Sequence, residues 1–313
     1  MNSASSRSGI LLVDKPQGLT SHDVVARTRR LAGTRKVGHA GTLDPLATGL
    51  LVLGVNSSTR LLTYVVGLEK EYEAVIRLGA STTTDDAEGE VLERAAASDV
   101  EAVTPEAVVA GLAALTGDVL QRPSSVSAIK VDGKRAYARV RGGETVVLDA
   151  RAVTISSIDV LASELVSTAA PGDGEPGTFR DVSVRVVCSS GTYIRAIARD
   201  LGDALGVGGH LTVLRRTRIG PFGIDRAHTL ETIDADRDLL APAAVAAELY
   251  PSIPFDASQA ADLRNGKRVA LDAENAPGPL AAIDPDGLLI GLFEIRGGTA
   301  RVLVNFPTDG GAA

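Results

Sequence analysis

The stretch GHAGTLDPLATGLL, residues 38–51, holds one acid, Asp44, among three glycines, two threonines and one histidine. A lone carboxylate directly before a proline has two readings. Aspartate is a good helix N-cap and proline a good first helical residue, so LATGLLVLG could begin a helix. Alternatively, a glycine-flexed loop presents Asp44 in a cleft as an ionised nucleophile or base. EKEYEAVIRLG places Tyr72 in an alternating strand, either as a core or cross-strand residue or as an aromatic plate for a base. SSGTYIRAIARDLG sets Tyr193 and Arg195 two residues apart, so an extended backbone would send both side chains off one face. Arg195 could then pair with a carboxylate and orient it, or sit in an ordinary surface ion pair. His39 is one of four histidines and reads equally as a polar loop residue or as part of this constellation.

Other signatures are missing from the sequence. No cysteine pair or histidine spacing suits zinc. No Walker loop occurs, and no GxGxxG follows a strand. The expectation is chemistry on a carboxylate, a tyrosine and an arginine, with no cofactor and no metal. A glycosidase would need a second facing acid, which neither the Asp44 motif nor SSGTYIR supplies. A non-catalytic RNA-binding or RNA-folding protein is the other rival.

The net charge of −7 argues against a nucleic-acid partner in sum, but the distribution does not. Arg27, Arg29, Arg30, Arg35 and Lys36 are interrupted by no acid, and Lys130, Lys134, Arg135, Arg139 and Arg141 by Asp132 alone. Five arginines between 195 and 218 meet only Asp200 and Asp203, while acids collect at 85–93 and 231–238. Phosphate binding follows local patches, although each cluster alone also reads as a solvated face. The single cysteine, Cys188, lies in the strand-like VSVRVVCSS and reads as a small buried hydrophobe, so nothing favours an oxidising compartment. The first nine residues lack the apolar core of a signal peptide, and no apolar run approaches the roughly 20 residues of a membrane span. The expectation is a cytoplasmic monomer with no membrane contact.

These residues must be positioned by mixed strands and helices without a regular βαβ rhythm, an α+β pattern. GILLVDK reads as a strand and KPQG as a turn. A helix follows, capped by Thr20 or Ser21, with a stripe of Val24, Val25, Thr28 and Leu31 and closed by Gly33. Residues 81–90 read as an acidic loop, and TPEAVVAGLAALTG as a helix with proline in its first turn. VDGKR signals a hairpin. STAAPGDGEPGT, residues 167–178, lacks the apolar content to pack and is expected to be disordered. GGHLTVLRRTRIGPF supplies a further strand. Beyond an Ala-rich acidic segment the chain turns to short strands with a DPDG turn.

Together the motifs resemble the TruB family of bacterial tRNA pseudouridine synthases. The matching stretches are GILLVDKPQGLTSHDVV, KVGHAGTLDPLATGLLVLG, KEYEAVIRLG, STTTDDAEGEV, QRPSSVSAIKVDGKRAYARVRGG, SSGTYIRAIARDLGDALG and HLTVLRRTRIGPF, in that order. The resemblance implies isomerisation of uridine 55 in the T loop, with base flipping and without cofactor or metal. It implies that Asp44 is the catalytic aspartate, that Tyr72 packs on the target base, and that Arg195 pairs with the aspartate. Tyr193 and Leu214 would line the pocket, and His39 would fill the place of the extruded uridine. Lys15 and Pro16 would border the catalytic core. Lys130, Lys134 and Arg135 are expected to grip T-arm phosphates, and a tRNA-folding role is compatible with the same surface. The implied fold is a pseudouridine synthase catalytic domain, a mainly antiparallel mixed sheet with flanking helices, over 9–230. An acidic connection spans 231–251 and a small β-rich PUA-like RNA-binding domain 252–308. Residues 1–8 and 309–313 are expected to be disordered.

Overall fold

A computed structural model describes residues 7–124, 130–131, 134–135, 148–169, 176–271 and 276–307. It divides into two compact units. One comprises Met1–Pro45, Gly49–Gly67 and Arg218–Ala313; the other comprises Leu46–Thr48 and Leu68–Thr217.

In the first unit, β1 (Gly9–Lys15) and β2 (Val37–Ala40) flank β3 (Thr48–Val55), each antiparallel to it. Asp44 therefore precedes a strand, not a helix. The run LLVLGV is buried along its whole length, and a strand covered on both faces needs no polar alternation. Between β1 and β2 lies α1 (Ser21–Leu31), whose N-cap Thr20 forms a capping box with Asp23. Of the expected stripe, Val24, Val25 and Thr28 are buried but Leu31 is 48% exposed. Ala32 packs into the core instead, because the helical period from Val24 and Thr28 falls on 32. A 3₁₀ turn (Asn56–Arg60) leads into α2 (Leu62–Val66).

The second unit begins with β4 (Lys70–Leu78), whose residues 70, 72, 74, 76 and 78 are buried in strict alternation. The expected acidic loop is, beyond Thr82, the connection of a hairpin in which β5 (Ala80–Thr82) pairs with β6 (Val91–Arg94). Two helices, α3 (Ala97–Ala102) and α4 (Pro105–Ala114), lead to β7 (Gly117–Gln121). Short strands β8 (Lys130–Val131) and β9 (Lys134–Arg135) pair antiparallel; Asp132 and Gly133, expected to turn between them, lie outside the described residues. Then come β10 (Arg151–Ala169), β11 (Pro176–Cys188), α5 (Ile194–Ala204) and β12 (Gly209–Ile219). The sheet order here is β12, β4, β11, β10, β7. The segment expected to be disordered is, where described, the end of a long hairpin, with Ser167 opposite Thr178 and Ala169 opposite Pro176. Its ladder is continuous with the strands behind it, and Phe179 anchors it against Ala80, Val91 and Val166. Residues 170–175 lie outside the described chain. Helix α5 sits so close to the start of β12 that a Cβ on Gly202 would lie 2.2 Å from Gly209 N.

The chain then returns to the first unit through β13 (Phe222–Gly223) and α6 (Pro242–Leu249). A second sheet is built from β14 (Ser252–Pro254), β15 (Val269–Ala270), β16 (Ala276–Ile283), β17 (Leu289–Arg296) and β18 (Thr299–Asn305). Its order is β14, β16, β17, β18, β15, and α7 (Ala257–Arg264) shares a core with it around Phe255, Leu263, Ile290 and Phe293. The DPDG turn joins β16 to β17, with Asp284 Oδ1 accepting from Asp286 N (3.0 Å) and Leu288 N (2.8 Å).

His210 on β12 is fully buried, with Nδ1 2.9 Å from the Ala80 carbonyl, so Nδ1 carries the proton of the neutral ring. Burial, assisted by nearby Arg77, holds its pKa below the usual 6.5. The unfolded chain therefore binds a proton that folded His210 resists, and stability falls as pH drops below about 6.5. Urea unfolding at pH 7, 6 and 5 should show this loss in wild type and a shallower one in His210→Asn.

Candidate active site

The Asp44 loop has no strand partner of its own, and buried side chains hold it on both sides. Before it, Ser21 Oγ accepts from Leu43 N (2.8 Å) and donates to Leu43 O (3.1 Å). After it, the Pro45 carbonyl accepts from Gly18 N (2.8 Å) and Lys15 Nζ (3.4 Å). Lys15 is fully buried, and its Nζ also donates to the carbonyls of Leu19 (2.6 Å) and Pro16 (3.0 Å). The KPQG turn and the Asp44 loop are thus one hydrogen-bonded structure. Gly41, at φ 84°, makes the bend that enters the loop, a conformation a side chain resists. Asp44 itself is half-buried. His39, on β2, meets His22 of α1 edge-on with ring centroids 5.6 Å apart.

Tyr72, Leu214, Tyr193 and Arg195 belong to the second unit. Tyr72 is buried on β4 opposite Val186, and Leu214 is buried on the neighbouring β12. One alternation earlier on β4, Lys70 is also buried, its Nζ donating to Leu68 O at 2.7 Å. Burial, with the Arg216 guanidinium nearby, lowers its pKa to about 8. Opposite Lys70, burial pushes the Cys188 thiol up to about 11, so it stays a neutral packing group.

Tyr193 is the N-cap of α5, and Arg195 lies in the first helical turn. The backbone is not extended through both, which corrects the geometry expected from their spacing. Arg195 is buried, and its Nη1 donates to Thr84 O (2.9 Å) and Asp86 Oδ2 (3.2 Å). Asp86 is itself 2% exposed and also accepts from Thr84 Oγ1 and Glu88 N. One helical turn on, Arg199 Nη1 faces Asp85 Oδ2 at 3.2 Å, and its Nη2 donates to Arg122 O at 2.9 Å. Burial raises the Asp85 pKa, and Arg199 opposes that rise. Asp85 also adopts φ 61°, unusual away from glycine. Sequence reasoning placed both acids only in an acidic loop and gave them no role. The signal was the pair of arginines four residues apart on a predicted helix, which can face two adjacent carboxylates.

The expected phosphate grip is only partly described. Lys130 pairs with Arg135 and Val131 with Lys134 through their backbones. Their side chains and the rest of VDGKRAYARVRGG lie outside the described residues. Of the other two clusters, Arg27, Arg29, Arg30, Arg35 and Lys36 are all exposed, whereas none of the five arginines between 195 and 218 is. Arg195 and Arg216 are buried and Arg199, Arg215 and Arg218 half-buried, so that stretch is structural rather than an open phosphate-binding patch. Among the described residues no group of acids, histidines and cysteines is placed to hold a metal ion.

Comparison with known proteins decides the family. Residues 29–194 match the TruB family pseudouridylate synthase N-terminal domain. Residues 195–244 match the tRNA pseudouridylate synthase B C-terminal domain, and residues 250–307 the tRNA pseudouridine synthase II C-terminal domain. The chain belongs to the TruB family of pseudouridine synthases. The tRNA pseudouridine synthase B of Leifsonia xyli subsp. xyli is 59% identical over 304 residues, 96% of this chain and 97% of that protein. The enzyme of the same name from Arthrobacter sp. is 54% identical over 310 residues, 96% and 98% of the two chains. Among solved structures, a chain from an H/ACA RNP bound to a substrate RNA containing 2′-deoxyuridine superposes with TM-score 0.68 at 23% identity, covering 96% of this chain and 86% of that one. A chain from a Cbf5–Nop10–Gar1 complex gives 0.65, also at 23% identity, over 96% and 86%. At that identity the likeness is one of fold, and it matches the α+β architecture above. This TruB-family chain is thus a pseudouridine synthase, an isomerase.

Two substitutions test the scaffolding of the TruB site. Ser21→Ala leaves the buried Leu43 amide and carbonyl without their partner and should cost about 1–3 kcal/mol in urea unfolding. Asp86→Asn leaves the buried Arg195 guanidinium short of its carboxylate, and should destabilise by about 3–5 kcal/mol in the same measurement.

Proposed function

We propose that this enzyme converts uridine 55 in the T loop of tRNA to pseudouridine, using Asp44 as the essential carboxylate. The observation that carries the reading is the clamp on the Asp44 loop, in which Ser21, Gly18 and Lys15 fix the backbone on either side of the one acid in its motif. Support for tRNA comes from relatives named tRNA pseudouridine synthase B. The T-loop site rests on the ordered motif match.

The reaction breaks C1′–N1 and joins C1′ to C5 of the same base; C5 loses a proton and N1 gains one. No atom is added overall, so the protein's task is to expose the nucleotide, hold the freed base, and supply a carboxylate. Extruding the base costs a few kcal/mol of stacking. Exposed Arg27, Arg29, Arg30, Arg35 and Lys36 are suited to the T-arm backbone, with Lys130, Lys134 and Arg135 in the same role. His39 takes the vacated position. Tyr72 lies against the flipped uracil, with Leu214 and Tyr193 as pocket walls. Asp44 attacks the ring or C1′, or removes a proton at C2′. Arg195 orients the carboxylate, and Asp86 and Thr84 fix one edge of its guanidinium.

In this reading the catalytic domain spans 9–230 and the C-terminal sheet, 252–308, is a PUA-like RNA-binding module. The enzyme acts as a cytoplasmic monomer. No described helix is long and apolar enough to cross a membrane.

Pseudouridine mapping on a T-arm stem-loop transcript should show conversion of the single T-loop uridine by wild type and none by Asp44→Asn, with RNA affinity largely kept. Full activity in Asp44→Asn would sink the assignment. Binding without conversion by wild type would favour an RNA-folding role.

A further inference from the structure

Gln121 is the last residue of β7, and it is 4% exposed. Its side-chain amide makes two hydrogen bonds to the backbone of one residue, Tyr193. Tyr193 N donates to Gln121 Oε1 at 2.7 Å, and Gln121 Nε2 donates to Tyr193 O at 2.9 Å. The amide therefore acts as a strand partner one residue long. Only one orientation of the amide satisfies both groups, since the N–H needs the oxygen and the carbonyl needs the nitrogen.

The place of this clasp matters. Tyr193 is the N-cap of α5, with φ −102° and ψ 107°, and its side chain makes no capping bond. Its carbonyl also accepts from Ala196 N at 3.1 Å, which closes the first helical turn. Arg195 is inside that turn. The guanidinium is fixed at its far end by Thr84 and Asp86, while the backbone that carries it is fixed by Gln121. Neither anchor alone sets the direction of the arginine. Removing the clasp takes two bonds from the Tyr193 main chain and loosens it, and a shift there moves the Tyr193 ring and the root of Arg195 together.

We propose that Gln121 is a positioning residue for the isomerisation, holding Tyr193 and Arg195 in register through its two bonds to the Tyr193 main chain. The role rests on the assignment of Tyr193 and Arg195 to the site. Gln121 itself faces backbone and has no need to touch RNA.

Two variants separate this from simple packing. Gln121→Met keeps the length of the side chain and drops both bonds. Gln121→Glu keeps the size and the acceptor for Tyr193 N, but turns an oxygen toward the Tyr193 carbonyl; it carries the same test should the Met variant fold poorly. Single-turnover pseudouridine formation on the T-arm stem-loop is measured beside RNA affinity by filter binding. A misplacement of about 1 Å predicts a rate lower by about 10²-fold in Gln121→Met, and a loss in Gln121→Glu, with the Kd for RNA nearly unmoved. Wild-type rates in both variants, or a loss carried by Kd alone, would overturn the role. Failure of the wild type to convert the stem-loop would overturn the functional reading and this role with it. Conversion by wild type with unaffected variants would overturn this role alone.

Discussion

Buried irregular backbone must find hydrogen-bond partners, and in this protein side chains supply them where the site residues sit. A strand satisfies its amides and carbonyls by pairing, and a helix does so within itself. The loop bearing Asp44 and the turn before α5 do neither. Ser21 and Lys15 complete the first, Gln121 the second, and all three are buried. An unmade bond at such a place costs about 1–3 kcal/mol, a large share of the net stability of a domain. The identity of these polar residues is set by loop geometry as strictly as the identity of core residues is set by volume.

The same demand explains what was legible beforehand. Periodicity located α1 and β4, because burial of one face leaves its imprint every 3.6 or 2 residues, and the DPDG turn between apolar runs located the C-terminal strands. The expected α1 stripe ended one residue early, on the larger apolar Leu31, whereas the buried face continues to the smaller Ala32. The insert at 167–178 read as disordered because a hairpin extended by backbone pairing needs little apolar content of its own. Of the candidate site, Asp44, Tyr72, Tyr193 and Arg195 stood out as residues. Asp86 and Gln121 lie in matching stretches, STTTDDAEGEV and QRPSSVSAIK, but nothing in the sequence singled them out. An acid in an acid-rich run looks solvated, and a glutamine ending a strand looks incidental, until the fold places a guanidinium beside one and the Tyr193 main chain beside the other.

Charge follows a parallel logic. The chain is acidic overall, yet two of its acids are consumed internally by Arg195 and Arg199. A buried pair gains little over a hydrophobic replacement, because desolvating two ions offsets most of their attraction. Its value at this place is directional. Asp86 receives hydrogen bonds from Thr84, Glu88 and Arg195, so its carboxylate cannot turn, and the guanidinium it faces is held with it. The neighbouring Asp85 and Arg199 repeat the arrangement and carry it to Arg122, the residue after β7.

Two supports of the α5 entrance therefore start from one short stretch of chain: Gln121 grips the backbone of Tyr193, and the Arg122 carbonyl grips Arg199. Both lie in the segment that leads out of β7 toward Lys130, Lys134 and Arg135. A helix fixed at its cap and again one turn later has little freedom to tilt. Its first-turn arginine then inherits the rigidity of the sheet edge rather than that of a loop. That is the condition an enzyme needs when its catalytic power comes from preorganised side chains: the orientation of Arg195 is settled during folding and need not be recovered from binding energy when RNA arrives.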